Sequence, residues 1–272
     1  MARAIHISDV HAGRQDERIV EELLLDIAQL EPDVVLAGGD FTQRSRTSQW
    51  KTAAAWLSRI GAPVLAVPGN HDIPLFDIGR RAIDPFGRYR EHIAADLEPE
   101  IEVAGIRSIG LRTADPKRRA EGRISEDSLE RFAARAQDVG GAQWTVLLSH
   151  HPVAAHRDVL PGKPAEGWQD ALSIAASARA DILLSGHTHR RRSGPFTKSV
   201  DGRSMVVAHS GTACSTRQRG DEPQSWQVID FEGDQIDIVG RAWDSTQSCF
   251  IDQDQSRFNR SSSGWQQVSA GA

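Results

Sequence analysis

Short apolar runs rich in Val, Ile and Leu alternate along the chain with stretches whose apolar residues recur every three or four positions. Residues 4–8 predict a first strand. The polar loop after it leads into a predicted helix over residues 17–30, with Ile19, Leu23, Ile27 and Leu30 on one face. Residues 33–37 (DVVLA) are apolar without alternation, as in a strand buried on both faces, and run into Gly38-Gly39-Asp40. Ser48 reads as the cap of a second helix carrying Ala53, Trp56, Leu57 and Ile60. Residues 64–67 predict a third strand, stopped by Pro68-Gly69.

Residues 73–100 read as an irregular insertion containing Pro and Arg. Residues 101–103 and 106–111 predict a hairpin around Ala104-Gly105. A helix is expected from Ser125 to about Val139, with Glu126 and Asp127 in its positive first turn. Strands at 145–148 and 182–184 enclose a helix near 169–178, and strands at 205–208, 226–231 and 235–240 follow. The expected organisation is one domain over 1–251 and a poorly ordered polar tail over 252–272. The early βαβαβ order implies a parallel sheet with right-handed crossovers, and the later strands imply a second, more antiparallel sheet. The predicted fold class is α/β, with two mixed sheets packed as a sandwich and flanked by helices.

Composition narrows the function classes. The 272 residues carry 32 Lys+Arg against 37 Asp+Glu, a formal net charge of −5. That balance argues against a protein that grips duplex nucleic acid through a broad basic surface. Cys214 and Cys249 are too few and too far apart for a disulfide framework and read as free thiols in a reducing compartment. No run approaches ~18 apolar residues, and no leader-like apolar segment opens the chain. The expectation is a cytoplasmic protein with no membrane contact; homo-oligomerisation is left open.

In open α/β sheets, functional groups collect where the strands end. The predicted exits read Ser8-Asp9-Val10-His11, Gly38-Gly39-Asp40, Gly69-Asn70-His71-Asp72, Ser149-His150-His151-Pro152 and Ser185-Gly186-His187-Thr188-His189. Six of the chain's ten histidines lie in these few residues, more than chance burial explains. Imidazole with carboxylate suits borderline divalent metals. Asp9, His11, Asp40, Asn70, His150, His187 and His189 are too many for one tetrahedral ion, whereas two ions sharing a carboxylate would use them all. Such a pair, ~3.5–4 Å apart, can hold a hydroxide and clamp a phosphoryl group.

The blocks SDVH, GGDFTQRS, GNHD, SHHP and SGHTH, in this order over about residues 4–230, resemble the calcineurin-like metallophosphoesterase superfamily. The resemblance implies a four-layer αββα sandwich and a site for two divalent or mixed-valence ions, with Mn, Fe or Zn expected. Carried over residue by residue, it puts Asp9, His11 and His189 on one metal and Asn70, His150 and His187 on the other, bridged by Asp40. His150 matches the ligand position better than His151. The carry-over makes His71 the residue that contacts the phosphoryl group and helps the leaving oxygen depart, with Asp72 as its orienting partner. Gln43 stands where a purple acid phosphatase carries its tyrosine ligand, and the lone Tyr89 falls outside any motif. The blocks look most like bacterial class III cyclic-nucleotide phosphodiesterases and glycerophosphodiesterases. Leu111-Arg112-Thr113 departs from the many relatives that have Asn before the Thr, which bears on substrate and not on the metals.

The expected activity is therefore phosphodiester hydrolysis of a small substrate, a cyclic nucleotide or a glycerophosphodiester, by a metal-bridging hydroxide. The alternatives are a phosphomonoesterase of the same superfamily and a non-catalytic scaffold that keeps the fold. Arg44, just past the bridging block, and His209 are the candidate substrate contacts. His6, between Ile5 and Ile7, reads as a packed histidine, and His92 and His156 as solvated positions. Arg217 and Arg219, like Arg44, read as surface charge with a substrate phosphate contact as the alternative. The triplets Lys117-Arg118-Arg119 and 190–192 read as solvated faces, the second with local positive potential beside the metal histidines as its alternative. The segment HSGTACSTRQRG at 209–220 resembles one in uncharacterised bacterial members of the superfamily, and its role stays open.

Overall fold

The computed structural model describes residues 1–137, 141–154, 163–196 and 202–268. The expected helix end at Val139 and the solvated His156 lie outside these residues. In chain order the elements are β1 (Ala2–Ile7), α1 (Glu17–Leu30), β2 (Val34–Ala37), α2 (Thr47–Leu57), β3 (Val64–Ala66), α3 (Ile78–Ile83), α4 (Gly87–His92), β4 (Glu100–Val103) and β5 (Ile106–Leu111). They continue as α5 (Glu126–Gln137), β6 (Trp144–Ser149), α6 (Trp168–Ser177), β7 (Ile182–Ser185), β8 (Arg192–Phe196) and β9 (Met205–His209). The last four are β10 (Ser225–Glu232), β11 (Gln235–Asp244), β12 (Cys249–Ser261) and β13 (Gly264–Val268).

Two mixed sheets result. One has seven strands in the order β13-β12-β11-β10-β1-β2-β3, the other six in the order β4-β5-β6-β7-β9-β8. Strands β1, β2 and β3 run parallel, as do β5, β6, β7 and β9. Alternation along each strand divides the apolar residues between two faces. Ala4, Leu36 and Leu65 of the first sheet meet Ile106, Val146, Leu184 and Val206 of the second in a shared core. Ile5, Ile7 and Val35 face the other way, against Ile19, Leu23 and Ile27 of α1 and Trp50 and Ala53 of α2. Leu147, Leu183 and Val207 pack outward against Phe132 of α5 and Leu172 and Ala175 of α6. The helix–sheet–sheet–helix sandwich expected from the sequence is the observed architecture.

Helix α1 starts where Asp16 accepts a hydrogen bond from the Arg18 amide at 3.0 Å, and it ends at Glu31 in the left-handed conformation. The insertion at 73–100 is less irregular than expected, because α3 and α4 fold inside it. Tyr89 of α4 is buried and donates its hydroxyl to the Ala66 carbonyl at 2.8 Å, which fixes the segment beneath β3.

The expectation of a poorly ordered tail from residue 252 is corrected. Strand β12 pairs with β11, and β13 pairs with β12, so the chain continues the first sheet as far as Val268. Phe258 and Trp265 are buried in the shared core, and the Trp265 indole donates to Asp181 at 3.1 Å. Trp265 thereby ties this end of the first sheet to the start of β7. The polar residues between them face solvent, which gave the segment its tail-like composition. Among the described residues no helix is long and apolar enough to cross a membrane.

Candidate metal centre

The seven expected metal ligands and His71 lie just beyond strand ends on one edge of the sandwich. Asp9 and His11 follow β1, Asp40 follows β2, Asn70 and His71 follow β3, His150 follows β6, and His187 and His189 follow β7. Backbone ties between neighbouring exits hold them. Asp9 donates its amide to Gly39 at 3.0 Å, His11 to Asp40 at 2.9 Å, and Gly186 to His150 at 3.0 Å. Asp9, His11, Asp40, His187 and His189 are five of the ten non-glycine residues with positive φ among the described residues. A left-handed backbone is costly for a residue with a Cβ and gathers at functional sites.

The side chains are held so that particular donor atoms stay free. Asp9 Oδ2 accepts from the Ser8 hydroxyl at 2.6 Å and from the His187 amide at 2.8 Å, while the buried Oδ1 has no hydrogen-bond partner. His189 gives its Nδ1–H to the Arg217 carbonyl at 2.7 Å, so its Nε2 lone pair faces Asp9 Oδ1 at 3.2 Å and His11 Nε2 at 3.2 Å. His150 likewise gives Nδ1–H to the Gly38 carbonyl at 2.7 Å. Its Nε2 lies 3.2 Å from Asn70 Oδ1 and 3.4 Å from Asp40 Oδ1. Asp40 Oδ1 also accepts the His71 amide at 2.8 Å, and Oδ2 stands 3.7 Å from His11 Nε2.

These atoms form overlapping groups that could hold a metal ion: Asp9, His11 and His189; Asp9, Asp40 and His150; and His150, His151 and His187, with ligand atoms within 4.8 Å of one another in each. His151 differs from His150 because both its ring nitrogens are engaged, by Thr113 Oγ1 at 2.9 Å and by the Ala120 carbonyl at 3.1 Å. Electrostatics agree with a cation site. Burial and the neighbouring Asp9 carboxylate push Asp40 well above the ordinary carboxylate range. Burial also lowers His150 and brings His187 down to about 3, leaving these two imidazoles neutral. For His189, burial is outweighed by Asp9, which raises it, and a metal ion would replace that proton. The donor set therefore fits metal ions: inward lone pairs fixed from behind by carbonyls, a buried carboxylate oxygen lacking a proton donor, and two carboxylates that repel without positive charge between them.

His71 stands at the rim with its ring edge-on to His11, centroids 4.9 Å apart. Its Nε2 accepts from Arg217 Nη1 at 2.6 Å, so the neutral ring carries its proton on Nδ1, which donates to the Gln43 carbonyl at 2.8 Å. Arg44 Nη1 lies 3.0 Å from the same Nδ1. Burial, then the Arg217 and Arg44 guanidiniums, lower His71 to about 4, while the Gln43 carbonyl opposes them.

Two expectations are corrected here. Asp72 does not orient the His71 ring. Its carboxylate accepts the amides of Phe41 at 3.2 Å, Thr42 at 3.0 Å and Gly69 at 2.9 Å, locking the exits of β2 and β3 together. The Gln43 carbonyl orients the ring instead. His209 is fully buried at the end of β9, where burial and nearby His6 lower it to about 3, and it presents no surface to a substrate in this structure. Arg44 is at the site, next to His71.

The residue that sequence reasoning undervalued is Arg217. It lies within the segment 209–220, whose role the structure explains. Thr212 Oγ1 donates to the Asp9 carbonyl at 2.6 Å, the Ala213 amide to Ser8 at 3.1 Å and the Asp16 amide to Cys214 at 3.1 Å. The segment thus clamps the β1 exit and delivers Arg217 to both His189 and His71. Its place in the loop that begins with Ser210-Gly211-Thr212 at the exit of β9 was the available signal.

Comparison with known proteins agrees with this geometry. The family model described as calcineurin-like phosphoesterase matches residues 2–191. A probable cyclic nucleotide phosphodiesterase of Synechococcus sp. is 27% identical over 218 residues, 77% of this chain and 76% of that protein. The DNA double-strand break repair protein Mre11 of Haloferax volcanii is 26% identical over 93% of this chain, which spans only 55% of that protein. A dimetal phosphatase from Danio rerio has the same fold, with a TM-score of 0.63 at 15% identity over 89% of this chain and 96% of that one. This chain belongs to the calcineurin-like phosphoesterase family.

Proposed function

We propose that the chain is a dinuclear metal-dependent phosphodiesterase of the cytoplasm acting on a small phosphoester, a cyclic nucleotide or a glycerophosphodiester. Asp9, His11 and His189 would hold one ion, Asn70, His150 and His187 the other, and Asp40 would touch both. Mn, Fe or Zn suits this mixture of imidazole, carboxylate and amide oxygen. The observation that carries the reading is the gathering of ligand atoms of Asp9, His11 and His189 and of Asp9, Asp40 and His150, within 4.8 Å in each group, around a buried Asp9 oxygen without a hydrogen-bond donor. When bound, divalent ions supply charge neutralisation for phosphoryl oxygens and activation of water.

The chain's own residues do the rest. Ser8 and the His187 amide fix one Asp9 oxygen so that the other points inward. The carbonyls of Gly38 and Arg217 set the His150 and His189 tautomers. At the rim, Arg217 already donates to His71 Nε2, so the pair together offers an N–H and a positive charge to a departing oxygen. Family membership supports phosphoester hydrolysis. The diester preference rests on the GGDFTQRS and GNHD blocks and on similarity to the Synechococcus protein. The Mre11 match raises a nuclease, and the net charge of −5 argues against it.

The test is a panel assay at neutral pH with Mn. The expected result is a higher kcat/KM for bis-p-nitrophenyl phosphate than for p-nitrophenyl phosphate, abolished by a chelator and restored by metal. A monoester preferred tenfold or more across several metals would replace the phosphodiesterase with a phosphomonoesterase.

A further inference from the structure

Next to His71 lies a cavity of about 150 Å³ walled by Arg44, Arg81, Arg119 and Arg217 together with Asn70 and His71. No carboxylate lines it. Elsewhere in this acidic chain arginines hold carboxylates: Arg3 pairs with Asp230 at 2.7 Å, Arg107 with Glu100 at 2.6 Å and Arg241 with Asp26 at 2.8 Å. Among the described residues no carboxylate lies within ion-pair distance of the four cavity arginines; the side-chain hydrogen bonds of Arg44, Arg81 and Arg217 go to backbone carbonyls and to the His71 ring. Arg81 is tethered by the carbonyls of Pro74 at 3.1 Å and Arg118 at 2.5 Å, and Arg44 by that of Gln43 at 3.0 Å. Asp115 acts on Arg81, and Asp40 and Asp9 on Arg217, only from beyond ion-pair distance.

The contrast with the neighbouring cavity sharpens the point. That larger space, about 970 Å³ beside His187, also carries basic residues, but it includes Glu121 and Glu166, and Glu166 pairs with Arg118 at 2.5 Å. Of these two cavities, the small one alone has only basic charges in its wall. Planar guanidiniums around a confined space suit a carboxylate or phosphate, which they bind by charge-assisted paired hydrogen bonds. The volume takes a small oxyanion and not a large ring system. The cavity shares Asn70 and His71 with the centre, so an anion held there would lie beside His71, the residue read as assisting the departing oxygen.

We propose that the arginine cavity is a subsite for a second anionic group on the leaving alcohol, and that this chain prefers phosphodiesters whose leaving alcohol carries a carboxylate or phosphate. The proposal rests on the phosphodiesterase reading for its substrate, but the subsite can be read without catalysis. Its residues extend a motif left unexplained by the metal centre, the Lys117-Arg118-Arg119 triplet, whose third member turns into the cavity wall while the second pairs with Glu166.

The test compares methyl 4-nitrophenyl phosphate with methyl 3-carboxy-4-nitrophenyl phosphate on the Mn-loaded protein. The expected ratio of kcat/KM is about tenfold in favour of the carboxylated ester at low salt, shrinking as salt screens the charges. Arg81→Gln and Arg119→Gln bring the ratio towards one, whatever common factor both esters lose. Arg46→Gln, outside the cavity, leaves the ratio where it was. In parallel, calorimetry on the metal-free protein compares the two free alcohols, 5-hydroxy-2-nitrobenzoate and 4-nitrophenol. Tighter binding of the carboxylated alcohol, lost in both cavity variants, supports the subsite. Equal binding overturns it, as does a ratio at or below one, a ratio unchanged in the cavity variants, or an equal fall in Arg46→Gln. Selective binding without hydrolysis of either ester would retain the anion subsite and overturn the phosphodiesterase reading.

Discussion

Gly69 offers a sharp test of how the strand exits support the centre. A Cβ placed there would lie 2.3 Å from the Asp40 backbone nitrogen and 2.2 Å from Asp40 Oδ1. Its φ of −99° and ψ of 179° are ordinary for any residue, so the cost of Gly69→Ala is steric and not conformational. The clash involves backbone and cannot be relieved by swinging the end of a side chain; the exits of β2 and β3, locked by Asp72, must separate. Overpacking of this kind costs about 1–3 kcal/mol, and a rigid backbone neighbour puts this site at about 3 kcal/mol. For a chain of this size that is a fall in Tm of roughly 6–12 °C. Because the atom displaced is Asp40, bound metal should fall together with Tm. Gly61, which has nothing within 4 Å of its would-be Cβ, is the control; Gly61→Ala should hold both Tm and metal. Thermal melts and elemental analysis of the two variants, purified with Mn, decide it. A Gly69→Ala protein that melts within about a degree of wild type with its metal intact would refute the claim that contact between these exits shapes the site.

Other outcomes follow from the same structure. A chain ending at residue 251 loses β13 and most of β12 and uncovers Ile236 and Ile238, which pack against Phe258, so it should aggregate or melt more than about 10 °C lower by calorimetry; an unchanged melt would mean these strands add nothing. Burial, with Glu17 and Asp16 nearby, raises the Cys214 thiol above its usual range, so a thiol reagent at pH 8 should titrate Cys249 quickly and Cys214 only on unfolding; two fast thiols would contradict this. Burial lowers His6 to about 4 and His209 to about 3, so both favour folding fully above pH 6.5 and lose that contribution as pH falls towards these values. Denaturant midpoints of the metal-free protein at pH 7, 6 and 5 should fall, and His209→Asn should flatten the slope by about 1.4 kcal/mol per pH unit; parallel curves would count against a buried neutral His209.

The two-sheet architecture and the gathering of Asp9, His11, Asp40, Asn70, His150, His187 and His189 were legible because strand exits are marked locally, by an apolar run followed by glycine and a ligand-type side chain. Pairing partners were harder to read. Strands β12 and β13 have solvent on much of their surface, so Phe258 and Trp265 are isolated apolar residues in a polar segment. Strand β8 contains Gly194 and Pro195, which argue against a strand in any sequence and are tolerated here because it lies at the sheet edge. Helices α3 and α4 have six residues each, too short for a helical period to emerge. Asp72 was misassigned because its partners are backbone amides, which side-chain patterns do not reveal. Arg217 meets His71 across 146 residues of sequence, through a clamp visible only in three dimensions.

The backbone at the centre explains why the pieces are built this way. Asp9, His11, Asp40, His187 and His189 each hold a left-handed conformation that costs an L-residue roughly 1–3 kcal/mol. An ordinary turn would place glycine or asparagine there; these positions instead carry metal-ligand side chains, so side-chain chemistry prevails over backbone preference. The strain is sustained because the surroundings over-determine it: Asp9 is tied through Gly39, Ser8, Thr212 and the His187 amide, and Asp40 through the amides of His11 and His71. The left-handed turn in each case points the side chain back over the sheet edge, towards the exits of the opposing sheet. With a conventional backbone the same residues would fan outward into solvent. Asp9 from the first sheet and His189 from the second, both left-handed, meet at 3.2 Å, whereas Asn70 and His150 meet across the sheets at the same distance from ordinary backbone, so strain builds part of the site and not all of it.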